Sequence, residues 1–117
     1  MSQQRGYADS LADILDATEK IHQFTRDMTL EQFTSDAKTL FAVVRALEII
    51  GEATKSVPQS VRDTYPLLPW REMAGMRDKL IHAYFGVVAA VVWKTVCEDV
   101  PGLVSEIRRI LAEIETQ

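Results

Sequence analysis

Apolar residues recur at three- and four-residue intervals near the start of the chain, where Leu11, Ile14, Leu15, Ile21, Phe24 and Met28 fall on one side of a helical period. The stretch from about Ala8 to Asp27 has neither proline nor glycine and predicts a first helix. Thr29-Leu30-Glu31-Gln32 then fits a capping box, in which a threonine hydroxyl and a glutamine amide satisfy each other's backbone N–H groups at a helix start. A new helix, or a short helical turn leading into one, is expected there. From Phe33 onward the apolar positions crowd together: Ala37, Leu40, Phe41, Val43, Val44, Ala46, Leu47, Ile49, Ile50, Ala53 and Val57. They are too many for one narrow stripe, so this second helix should touch neighbours on more than one side before Pro58 ends it. Gly51 inside it costs helix stability and suggests the close approach of a neighbouring helix.

Residues Pro58 to Pro69 contain three prolines and read as a connection holding at most one helical turn. Pro69 suits the first turn of a third helix, predicted from about Trp70 to Tyr84 and ending near Gly86. The β-branched run from Val87 to Val92 would also suit a strand, but no other segment offers a strand partner, so helix is preferred. After a break at Pro101-Gly102, the residues Leu103, Ile107, Ile110, Leu111 and Ile114 trace one face of a last helix. The pattern predicts an all-α chain, an up-and-down bundle of four to five helices.

Composition narrows the class. A chain of 117 residues is long enough for one core and too short for two, so a single domain over 1–117 is expected. With 47% hydrophobic and 26% charged residues it is neither disordered nor membrane-embedded by composition. No signal peptide or spanning segment is evident, so a cytoplasmic protein away from membranes is expected. The net charge of −4 argues against broad nucleic-acid binding and leaves room only for a local basic groove. Cys97 stands alone and reads as a small core hydrophobe, and with His22 and His82 as the only histidines no metal-ligand cluster or cofactor is expected.

Candidate chemistry concentrates in the third helix. Its apolar stripe is Trp70, Met73, Ala74, Leu80, Ile81 and Tyr84, and Arg77 stands where that stripe asks for a hydrophobe. An unpaired guanidinium is costly to bury, so Arg77 either pairs with a carboxylate, Glu48 or Glu52 for instance, or lines a groove that accepts an anion. His82 follows Asp78 by four residues, within reach of a carboxylate–imidazole hydrogen bond that would orient the ring. Arg77 and His82, five positions apart, point roughly 140° from one another on an ideal helix, which one helix alone does not resolve. Two copies meeting across a two-fold axis would build a shared groove.

The segment Trp70-Arg71-Glu72-Met73-Ala74-Gly75-Met76-Arg77-Asp78-Lys79-Leu80-Ile81-His82-Ala83-Tyr84-Phe85-Gly86-Val87 resembles the signature of the HepT-like toxins of the HEPN superfamily, with its Arg-x4-His-x-Tyr pattern. The stretch Arg45 to Ala53, and Val92-Trp93 with Asp99-Val100-Pro101, extend the resemblance over nearly the whole chain. Asp78 stands where the family often has asparagine, and Val88 where aspartate is common. The resemblance implies a helical HEPN-like homodimer with metal-independent endoribonuclease activity on RNA, tRNA being one candidate. Arg77 and His82 would be catalytic, with Asp78, Lys79 and Tyr84 supporting them or binding substrate. It further implies a toxin–antitoxin pair, in which an MntA-type nucleotidyltransferase transfers AMP to Tyr84 and silences the toxin. The chemistry suits these side chains. A histidine with an ordinary pKa near 6.5 can exchange a proton with the ribose 2′-OH or the leaving oxygen, while the planar fork of arginine holds the phosphate. The alternative is a catalytically silent HEPN protein, a nucleotide-binding or helical interaction module that partners the transferase.

Overall fold

A computed structural model describes the backbone of residues 2–83 and 89–115 and the side chains of 6–76 and 89–115. The described residues form α1 (Ser2–Thr25), α2 (Leu30–Ser35), α3 (Ala37–Lys55), α4 (Gln59–Thr64), α5 (Trp70–Ala83), α6 (Ala89–Glu98) and α7 (Pro101–Glu115), with no strand among them. The all-α expectation holds, and the expected four to five helices correspond to the five long ones; α2 and α4, of 6 residues each, are additional. Helix α3 packs against both α1 and α5, α7 packs on α1, and α6 bridges α2 and α7.

The first helix buries Leu11, Ile14 and Ile21, while Phe24, assigned to the same stripe from the sequence, is 42% exposed. Small and hydroxylated residues complete the face instead: Ala17, Thr18 and Thr25 are buried. Their hydroxyls are tolerated there because they bond back to the helix, Thr18 Oγ1 donating to the Leu15 carbonyl at 2.8 Å and Thr25 Oγ1 to that of Ile21 at 2.7 Å. After α1 the chain reverses through Asp27, whose φ of 62° is left-handed, the conformation that commonly ends helices.

The capping box forms as predicted, the Thr29 side chain accepting from the Gln32 N–H and the Thr29 N–H donating to Gln32 Oε1 at 2.9 Å. The helix it opens is short. Asp36 divides it from α3 by closing one helix and opening the next: its N–H donates to the Phe33 carbonyl, and its carboxylate accepts from the Thr39 N–H at 3.1 Å and hydroxyl at 2.7 Å. That aspartate cap, not the apolar pattern, sets where α3 begins. Phe33 of α2 is fully buried and meets the Trp93 ring of α6 at a centroid distance of 5.0 Å.

Helix α3 buries Val43, Val44, Ala46, Leu47, Ile50, Gly51 and Thr54, a face wide enough for two neighbours, α1 and α5. In α6 the core positions are Val92 and Val96, and Cys97, one residue further round, is exposed; the expectation of a core cysteine is corrected. Pro101 and Gly102 do separate α6 from α7, but as the first residues of α7, where a proline lacks only an N–H that has no partner in any case. The α7 face then buries Leu103, Ile107 and Ile110.

Candidate functional site

The candidate residues are carried by α5, and the connection before it determines where that helix starts. Arg62 of α4 reaches back to the end of α3, its Nη2 donating to the Thr54 carbonyl at 2.8 Å and its Nε to that of Val57 at 3.1 Å. These carbonyls lie at the negative end of the helix, so a guanidinium there is doubly favourable. Burial pushes the Tyr65 phenol above its ordinary range, and a hydrogen bond to Glu113 of α7 adds to the shift. The Trp70 indole N–H donates to the Tyr65 carbonyl at 2.8 Å, and Pro69, just outside α5, supplies the carbonyl that receives the Met73 N–H at 2.9 Å.

The rotation of α5 about its own axis follows from what it buries against α3. Trp70, Met73 and Met76 are buried and Ala74 is only half-buried, so the buried stripe is turned away from Ala74 relative to the sequence expectation. Arg77 follows Met73 by four residues, a rotation of about 40° along the helix. His82 follows Met73 by nine, roughly 180° away, on the opposite side. Arg71 and Gly75 share the His82 register with Asp78, within a sector of about 60°; Arg71 is exposed. The sequence reading used the Asp78–His82 spacing but missed that Arg71 and Gly75 belong to the same line.

The backbone of α5 thus places Arg77, Asp78, Lys79 and His82 on its last turns, while their side chains lie outside the described residues. Tyr84, the expected acceptor of AMP, and Gly86, the expected helix end, lie outside them entirely. The suggested pairing of Arg77 with Glu48 or Glu52 likewise falls outside. On α3, Glu48 approaches Arg45 at 3.9 Å. Among the described residues, no group of three or more histidine, cysteine, aspartate or glutamate side chains is placed to hold a metal ion, and no helix is long and apolar enough to cross a membrane.

Residues 14–110 match the family described as Ribonuclease HepT-like. The chain belongs to the HepT-like ribonuclease family. A relative named "Probable ribonuclease HepT" from Thermococcus cleftensis is 54% identical over 107 residues, covering 92% of this chain and 97% of the relative. Two from Methanocaldococcus jannaschii, each named "Putative RNase", are 45% and 46% identical over 105 residues, covering 90% of this chain and 90% and 87% of the relatives. No solved structure matches the chain. The HepT-like match spans α5 whole, so the motif and the helices that seat it, α3 and the connection through α4, fall within the family's common region.

Proposed function

We propose that this HepT-like ribonuclease cuts RNA without a metal, with Arg77 and His82 as its catalytic pair, and that it acts as the toxin of a toxin–antitoxin pair in the cytoplasm. The observation that carries this reading is the Arg77-x4-His82 spacing on the last turns of α5, a helix seated by Met73 and Met76, in a chain of a ribonuclease family. His82 accepts the proton of a ribose 2′-OH as that oxygen attacks the adjacent phosphorus, or returns a proton to the departing 5′ oxygen. Arg77 holds the phosphate and offsets the charge that builds on its oxygens. Asp78, one turn before His82, orients the imidazole, and Lys79 adds positive charge beside the substrate.

The opposed registers of Arg77 and His82 on α5 support a homodimer. In it the α5 helices of two copies lie near a two-fold axis, so that both residue types reach one cleft. Silencing is by an MntA-type nucleotidyltransferase. The Tyr84 phenolate attacks the α-phosphorus of ATP, pyrophosphate departs, the phenolic proton passes to solvent, and the tethered AMP occupies the phosphate site at high effective concentration.

The test combines RNA cleavage and growth inhibition for wild type, Arg77→Ala and His82→Ala, with circular dichroism to show an unchanged helical fold. Both variants lose cleavage and toxicity, and EDTA leaves wild-type cleavage intact. Wild-type protein that never cuts RNA, or that EDTA inactivates, overturns the reading and leaves the silent-module alternative. Co-expression with the transferase should add AMP to Tyr84 and none to Tyr84→Phe; neutralisation without added mass replaces modification with steric blocking.

A further inference from the structure

Gly75 sits inside α5, where a glycine weakens a helix, yet nothing among the described residues requires it. A Cβ built at Gly75 meets no atom within 4 Å, and no described glycine has a positive φ. Among the described residues, the missing side chain therefore serves neither packing nor backbone geometry. It leaves the helix surface bare for something outside. The bare position lies on the line Arg71, Gly75, Asp78, His82, on the side of α5 turned away from Met73.

At the far end of that line stands Arg71, exposed and without a hydrogen bond or ion pair to any described residue. It lies eleven residues before His82, about 16 Å along the helix axis and within about 20° of it in rotation. Arg71 also lines an open cleft of about 700 Å³ between α4 and α5, together with Gln59, Arg62, Pro66 and Trp70. Asp63 and Glu72 also line the cleft and Arg62 is held by the α3 carbonyls, so of the two arginines there Arg71 is the one whose guanidinium has no described partner.

We infer that the Arg71–Gly75–Asp78–His82 face of α5 is a track for the RNA strand. Arg71 is a positioning residue that holds a backbone phosphate a few nucleotides from the one cleaved, and Gly75 lets the strand pass close to the helix between them. This inference rests on the ribonuclease reading of His82. A strand of phosphates is favoured over a protein partner because a protein covering Arg71 would have to supply a carboxylate to a desolvated guanidinium, whereas RNA carries an anion at every nucleotide.

The experiment measures binding of a fluorescent oligoribonucleotide to full-length protein in a His82→Ala background, which binds without cutting, across a salt series. Arg71→Gln is expected to weaken binding about threefold to tenfold and to flatten the logarithmic salt dependence by about 0.7, the loss of one single-strand phosphate contact. Arg71→Lys should restore most of the slope. With His82 intact, Arg71→Gln should raise KM far more than it lowers kcat, by a margin that grows from a dinucleotide to a long RNA. Gly75→Leu should weaken the same binding with the helical circular-dichroism signal retained. Cleavage by wild type with unchanged affinity and slope in Arg71→Gln overturns the track and leaves the ribonuclease reading standing. Wild type that neither binds nor cuts RNA removes both. A change in sedimentation with no change in RNA affinity overturns the track as well, by assigning this face to a second copy of the chain.

Discussion

Replacing Gly75 by alanine isolates what the face of α5 does in the free protein. In a helix interior glycine is about 0.8 to 1 kcal/mol less favourable than alanine, because it loses more backbone freedom on folding and covers less of the backbone. The penalty is fully recoverable only where the added methyl fits. At Gly75 it meets nothing within 4 Å, and the φ is not positive, so no steric or conformational charge is set against the gain. Gly75→Ala is therefore expected to stabilise the chain by about 1 kcal/mol, which for a domain of this size raises Tm by roughly 4 °C. Urea denaturation followed by circular dichroism, at two protein concentrations tenfold apart, measures it. The gain should be equal at both, since it arises within one protomer. A loss of stability that deepens with concentration would refute the reasoning, because it would mean that a second copy already packs against Gly75 and that the methyl displaces it.

Met73, fully buried between α5 and α3, sets the rotation of the motif helix, and Met73→Ala should cost about 2 to 5 kcal/mol in urea denaturation and lower RNA cleavage beyond what the unfolded fraction explains. Trp70→Phe keeps the ring but removes the N–H that reaches the Tyr65 carbonyl, and should cost about 1 to 2 kcal/mol; no change in the denaturation midpoint would mean that the bond does not anchor α5. The hydroxyl and N–H of Thr39, with Lys38 nearby, hold the Asp36 carboxyl below its ordinary value of 3.8, so its contribution is fully present above that value and is lost as pH falls through the lower folded value. The stability difference between wild type and Asp36→Asn should be flat at neutral pH and shift in strong acid; a difference that stays flat to the acid end would show that the charge on the cap is idle. Thr29→Ala, which removes one half of the capping box, should cost about 1 kcal/mol by the same denaturation measurement.

The order of the long helices, the capping box at Thr29 and the motif on the third long helix are all legible in the residues, since periodicity, caps and proline positions are local properties that tertiary packing seldom reverses. The local pattern was less informative wherever a helix could choose among faces. Phe24 and Met76 illustrate this: hydropathy counted the first as core and omitted the second, yet Phe24 is 42% exposed and Met76 is 5% exposed. Thr18 and Thr25 were invisible for the opposite reason, because a hydroxyl bonded back to its own helix costs little to bury and leaves no mark in an apolar pattern. Cys97 was misjudged because its residue type, not its register beside Val92 and Val96, guided the reading.

The same division runs through the candidate site. Sequence alone determined which side chains α5 carries and the angle of roughly 140° between Arg77 and His82, because helical geometry depends only on spacing. Only the tertiary structure decided how the helix that carries them is turned about its axis. The seating of Met73 and Met76 against α3 leaves Arg71, which shares the register of His82, exposed and Gly75 half-buried. Rotation of a helix about its axis is set by how its side chains interlock with those of its neighbour, and that information is shared between segments far apart in the chain.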